Sequence, residues 1–240
     1  MSSLAAAACA AGAQSPSLPD APQPVVTIRA TPHNILHDQE AIWTSPIRLR
    51  TTNAAGPVLL VLATAVAITA DHQAMSSVVS HDTTLNDHAD TASQGLTGAF
   101  VAAPALFYGM GRLHRDDHAS ETGILGGEAI LDSLAVNEVI KIVSRRERPA
   151  VDGAKGKFFQ SGVNFDSSFP SNHSIVAWSS AAVTASEYPG ILTQISAYGL
   201  ATGVSLTRVL AQQHFPSDVL VGSALGWMIG RYVVHRHRHD

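Results

Sequence analysis

From residue 54 onward the apolar residues fall in long runs, separated by polar stretches, and the runs have the lengths of helices. Ala54 to Ala70 (AAGPVLLVLATAVAITA) carries no charge and is close to the length that crosses a bilayer. Leu96 to Gly111 is apolar but rich in Gly and Ala, which let helices approach closely. Ile124 to Val143 is interrupted by Glu128, Asp132, Asn137, Glu138 and Lys141. Such groups face lipid only at high cost, so this helix should be central or line a cavity. Asn172 to Ser186 and Ile191 to Ala211 follow, parted by Tyr188-Pro189-Gly190, and Asp218 to Val234 is again strongly apolar. Strand signals are weak throughout and no internal repeat is evident. The pattern predicts an all-α fold with a bundle of six helices. Two longer connections interrupt it: Asp71 to Gln94, polar and acidic, and Ser144 to Pro170, basic at its start and rich in Gly, Ser and Phe. Long connections in a compact bundle are usually functional or disordered.

The first fifty residues read differently. His33 to Arg50 is polar with scattered apolar positions, as for one short amphipathic helix lying on a surface. Residues 14–32 carry Pro16, Pro19, Pro22, Pro24 and Pro32 and read as an extended tether. Residues 1–13 are small and apolar, and Ala11-Gly12-Ala13 before Gln14 fits a signal-peptide cleavage site, although the run is short and lacks a basic start. The single cysteine, Cys9, excludes an intrachain disulfide. It fits a lipoprotein signal less well than a cleaved one, because Ala6 stands where Leu is usual. The expected organisation is a signal segment over 1–13, an extension over 14–50 and a helical bundle over 51–240.

Composition narrows the class without settling the solvent. Apolar residues make up 45% and charged residues 14% of the 240, sparse for a soluble globular protein. The mean hydropathy of +0.12 fits either a membrane bundle or a soluble helical domain. A formal charge of −4 argues against nucleic-acid binding, which wants a basic field.

Three short patches hold candidate chemistry. In Lys141-Ile-Val-Ser-Arg-Arg-Glu-Arg148-Pro149 the two cations share a helix face if the helix persists, and Pro149 should swing Arg148 off its end. A planar Arg fork and a point-charge Lys suit a phosphate dianion. The plain alternative is a solvated basic turn offsetting the helix dipole. In Phe169-Pro170-Ser171-Asn172-His173-Ser174, opening the fourth helix, free backbone N–H groups make an anion site. Ser171 also reads as an ordinary N-cap, with His173 an ordinary first-turn residue. In Thr207-Arg208-Val-Leu-Ala-Gln-Gln-His214-Phe-Pro-Ser-Asp218, His214 and Asp218 are four apart across a helix start, so the carboxylate can accept from the imidazole. Otherwise Asp218 is a helix-start acid and Arg208 its ion-pair partner.

Each patch is weak alone, but together they supply two histidines, an orienting acid, three cations and a helix N-terminus, a complete set for phosphoryl transfer. In order and spacing the patches resemble the signature of the type 2 phosphatidic acid phosphatase superfamily, which includes vanadium haloperoxidases. The first motif matches fully from Lys141 to Pro149, the second at Pro170, Ser171 and His173, and the third at Arg208, His214 and Asp218. The resemblance covers roughly Ile124 to Val234. Asn172 departs from the family's Gly, keeping the N–H but adding a Cβ, and Thr207 departs from Ser, keeping the hydroxyl.

The resemblance implies a metal-independent phosphatase with no cofactor, acting on a phosphomonoester or diphosphate, and apolar helices beside the site favour a lipid substrate. His214 is the implied nucleophile, Asp218 steadies its imidazolium, and His173 protonates the leaving alkoxide. Lys141, Arg148, Arg208 and the N–H groups near Ser171 and Asn172 hold the phosphate. A bell-shaped pH–rate profile should result, since the two histidines need opposite protonation states. Alternatives are a soluble periplasmic acid phosphatase, a vanadium-dependent haloperoxidase with His214 as vanadate ligand, and a catalytically silent membrane binding protein. His114 and His118, and the tail His235, His237 and His239, have metal-ligand spacing but read as a solvated loop and tail. If six helices cross a bilayer, the three patches share one side. Arg48, Arg50, Arg112, Arg115, Arg231, Arg236 and Arg238 then fall on the other, which predicts a site facing the periplasm or exterior. Cleavage of a signal peptide would reverse that count. Membrane embedding is the expectation, on the strength of Ala54 to Ala70 and Val219 to Val234.

Overall fold

A computed structural model describes residues 26–45, 54–160 and 166–239. The expected signal segment with Cys9, the expected tether up to residue 25, and Arg48 and Arg50 lie outside them. Among the described residues the chain forms seven α-helices and no strand: α1 (Thr31–Thr44), α2 (Ala55–Gln73), α3 (Thr83–His114), α4 (Asp117–Ser144), α5 (Asn172–Glu187), α6 (Ile191–Leu210) and α7 (Pro216–His239). The short amphipathic helix and the six bundle helices are all present.

The polar connection expected over Asp71 to Gln94 is mostly helix. α2 runs through Asp71 and continues as one π turn, Ala74–Val78, and α3 starts at Thr83. Asp82 sets that start by accepting from the amides of Thr84 and Leu85. Helix α3 is thus twice the length read from its apolar stretch, because apolar content marks only the part that needs covering. Asp116 caps α4 in the same way, Ser171 caps α5, and Pro216 opens α7 at the position where a missing N–H costs nothing.

Helix α5 is the hub, packed against α3, α4, α6 and α7. Its Ala177, Ala181 and Ala185 meet Ala197, Ala201 and Val204 of α6, while Val183 joins Leu125, Ala129, Val136, Ile229 and Val233. Its closest neighbour is α7, along a face of Gly222, Gly226 and Gly230. A Cβ on Gly226 would lie 2.3 Å from the carbonyl oxygen of Ile175, so only a glycine admits this approach. The polar groups of α4 do face inward, as its pattern predicted: Glu128, Asp132, Asn137 and Lys141 are all buried.

Helix α1 lies across α4 and is clasped to it and to the last turns of α7. Asn34 donates to Glu128 (3.0 Å), Gln39 to Asp132 (2.8 Å), and Arg236 of α7 pairs with buried Asp38. His237 stands 3.5 Å from Glu128. The solvated C-terminal tail expected from the sequence is therefore the last turn of α7, partly packed. His118 pairs with Glu187 at 3.0 Å, joining two helix ends where a solvated loop was expected.

Antiparallel alternation from α2 to α7 has a consequence for chemistry. The C-terminal ends of α2, α4 and α6 and the N-terminal ends of α3, α5 and α7 share one end of the bundle. All three sequence patches are there.

Candidate active site

The first patch leaves the helix sooner than its spacing allowed. Helix α4 ends at Ser144, Arg145 takes a left-handed conformation (φ 43°), and the chain leaves the helix before Arg148. Lys141 and Arg148 therefore do not share a helix face. Lys141 is buried in the last turn of α4 and donates from Nζ to the carbonyl of Ser167. Arg148 donates from Nε to Asp166 (3.0 Å) and from one terminal nitrogen to the carbonyl of Gln213 (3.1 Å), beside His214.

The stretch Asp166-Ser167-Ser168-Phe169 threads between these groups. The Ser168 carbonyl accepts from His214 Nδ1 at 2.7 Å, and the Ser168 amide donates to the Arg146 carbonyl at 2.9 Å. Asp218 was expected to fix the imidazole tautomer directly. Its Oδ2 lies 3.6 Å from Nδ1 and instead accepts from the amide of Phe215 at 2.8 Å. The nearer acceptor, the Ser168 carbonyl, takes the Nδ1 proton and leaves the Nε2 lone pair free, while Asp218 stands just behind as a buried negative charge. Burial of His214 pushes its pKa down to about 4, against the upward pull of Asp218, so the ring is neutral at physiological pH.

Ser171 serves as the N-cap of α5, its Oγ accepting from the amide of Ser174 (3.4 Å). Its own amide donates to the Asp218 carbonyl (3.1 Å), which locks α5 against α7 at the site. Asn172, at the position of the family's Gly, turns its side chain away to accept from buried Asn137 of α4. His173 is partly buried in the first turn of α5, within electrostatic reach of Arg208, His214 and Arg148. Arg208, in the last turn of α6, pairs with Asp90 of α3 and donates to Ser93 at 3.0 Å. It is not the partner of Asp218. Its Nε has no hydrogen-bond partner among the described residues, so a donor remains for an anion.

Sequence reasoning missed Arg146. Its side chain is 1% exposed, donates to Asp218 (2.6 Å), Ser217 (2.7 Å), Asp71 of α2 (2.7 Å) and the Gly156 carbonyl (3.1 Å), and lies over the rings of Phe215 and Phe158. A signal existed in Asp71: a carboxylate in the last turn of a helix opposes the dipole and calls for a cation.

Residues 122–239 match the model of the PAP2 superfamily, which is the type 2 phosphatidic acid phosphatase superfamily that the motifs resemble. In solved structures the fold is similar to "the first transmembrane PAP2 type phosphatidylglycerolphosphate phosphatase from Bacillus subtilis". The TM-score is 0.53 and the identity 22%, over 75% of this chain and 94% of that one. A search of curated proteins returned no match.

Proposed function

We propose that this protein is a phosphatase that hydrolyses a phosphomonoester or diphosphate of a lipid through a phosphohistidine on His214. The observation that carries the reading is the state of His214: buried, held by a carbonyl at Nδ1, neutral, and within electrostatic reach of Arg148 and Arg208, with Lys141 in turn close to Arg148 and Asp218. That is the arrangement a nitrogen nucleophile needs against a dianion. Nε2 attacks phosphorus in line, the P–O ester bond breaks, and its electron pair leaves on the alkoxide, which takes a proton from His173. Water then attacks phosphorus, the P–N bond breaks, and the proton of the water returns to His173. The three cations and the first-turn amides of α5 hold the charge spread over the phosphate oxygens.

The apolar exterior supports a lipid substrate and a bilayer. Ala55–Val78 is long and apolar enough to cross a membrane, and little of it is buried. Val58, Leu59, Leu62 and Val66 of α2, Val101 and Leu106 of α3, and Leu192, Ile195 and Leu206 of α6 all stand exposed. So much uncovered apolar surface is foreign to a protein in water. A groove of about 540 Å³ between α3, α5 and α6, lined by Leu96, Phe100, Phe107, Ala197 and Leu200, offers a place for an acyl or prenyl chain. Leu200 stands two turns before Arg208, roughly 12 Å along α6. The resident arginines of the opposite end, Arg112, Arg115, Arg231, Arg236 and Arg238, favour a site facing the periplasm or exterior.

The test is phosphate release from a panel of lipid phosphates and soluble phosphate esters, with wild type beside His214→Ala. Lipid turnover that falls by about four orders of magnitude in the variant, with labelled phosphate trapped on His214, is the expected result. Turnover independent of His214, or halide oxidation dependent on vanadate and peroxide, would overturn the proposal.

A further inference from the structure

We infer that Asp71, acting through Arg146, is a positioning residue that sets the charge balance behind the His214 nucleophile. This rests on the reading of His214 as the nucleophile. Asp218 by itself would place one negative charge behind the imidazole. Arg146 stands on that carboxylate at 2.6 Å and cancels it. Asp71, from the far side of the same guanidinium at 2.7 Å, restores the missing charge. With both carboxylates and the guanidinium ionised, the cluster carries a net charge of −1. A neutral His214 leaves that charge in place, and a phosphorylated imidazolium neutralises it.

The cluster is built for a fixed charge rather than for exchange with water. The side chains of Arg146, Asp71 and Asp218 are 1%, 2% and 0% exposed. Ser217 joins them, its amide donating to Asp71 Oδ1 (3.1 Å) and its hydroxyl to Oδ2. Gly156, in a left-handed conformation (φ 57°), offers its carbonyl to Arg146, and a Cβ there would lie 2.7 Å from the Phe215 ring. A guanidinium enclosed this way cannot leave one carboxylate for the other. Removing a single member of a buried ionic cluster leaves an uncompensated charge.

The other charges around His214 are cationic or variable: Arg148 of the connection, Arg208 of α6 with its partner Asp90 of α3, His173 of α5, and Lys141 of α4 within reach of Arg148 and Asp218. They favour phosphate in the ground state and oppose an imidazolium. The negative cluster behind the ring is what makes the covalent intermediate compatible with three cations in front of it.

Charge arithmetic gives opposite effects for two substitutions. Asp71→Asn brings the cluster to zero, and Arg146→Gln brings it to −2. Asp71→Asn should lower kcat roughly tenfold with KM within twofold, and move the acid limb of kcat/KM to lower pH by about one unit. Arg146→Gln should move that limb to higher pH. The double variant, again at −1, should return it to the wild-type position. A purely structural role predicts instead that the single variants lose folded protein while the limb stays put in whatever remains folded. That pattern, or two shifts in the same direction, overturns the inference. If Asp71→Asn does not fold, Arg146→Gln and the double variant decide it by the upward shift and its reversal. Titration of the His214 ring by NMR of histidine-labelled protein reads the same shifts without turnover. Loss of the nucleophile reading would therefore appear in the His214→Ala assay, and loss of the charge balance in the titration.

Discussion

In the proposed mechanism, His214 gains its reactivity from surroundings that act on different properties. The Ser168 carbonyl selects the tautomer, the protein interior keeps the ring neutral, and Asp218 compensates the charge that develops. The pH consequence follows from the sign of the shift. Burial lowers the pKa of the nucleophile, so the active neutral form persists down to about pH 4 and is lost as pH falls through that value. A kcat/KM profile should show its acid limb near 4, well below the ordinary histidine range. An acid limb near 6.5 would mean that His214 is more solvated than its packing indicates. Asn172 makes a second prediction. Its side chain satisfies buried Asn137 in place of crowding the phosphate, so Asn172→Gly should cost about 1–2 kcal/mol of stability, read as a lower melting temperature in detergent. The three motifs were legible residue by residue. Arg146 was not, because in Arg145-Arg146-Glu147-Arg148 nothing in the sequence separates the buried arginine from its neighbours. Only the left-handed turn at Arg145, which sends the next side chain inward, makes that distinction.

Among the elements, α5 and α7 define the site's dimensions. Ser171 at the start of one bonds Asp218 at the start of the other, and the glycine face below holds the two backbones at that spacing. Gly226→Ala should therefore destabilise the protein by about 2–3 kcal/mol and lower kcat more than it changes KM, since the carbonyl of Ile175 cannot yield to a methyl group without moving α5. Thermal melting and steady-state kinetics on the same preparation would check both halves. Helix identities followed from apolar runs, and their ends were harder to place. The start of α3 lies in Thr83 to Gln94, where polar residues form helix because Asp82 caps it and because Asp90 and Ser93 face Arg208. A polar stretch that is helical for the sake of the site looks, in sequence, like a loop.

For the whole molecule, the six bundle helices alternate so that every group of the site collects at one end, while apolar side chains cover α2, α3 and α6 outside. The expressed protein should remain with the membrane fraction through alkaline carbonate and high salt and leave it only in detergent. Release by carbonate alone would favour the soluble phosphatase. The all-α bundle and its inward-facing α4 were evident from the spacing of apolar and polar positions. The joining of α1 to the far end of α7 was not, because contacts between residues some two hundred positions apart leave no local trace.

That joining makes the two ends of the described chain mutually dependent. Asp38 has its arginine only while the last turn of α7 is intact, and Glu128 has its amide donor only while α1 lies across the bundle. Shortening the protein before Arg236, a cut that looks harmless in a histidine-rich terminus, would strand a carboxylate in the interior and loosen the helix docked by it, with damage appearing at the end of the molecule farthest from the phosphate.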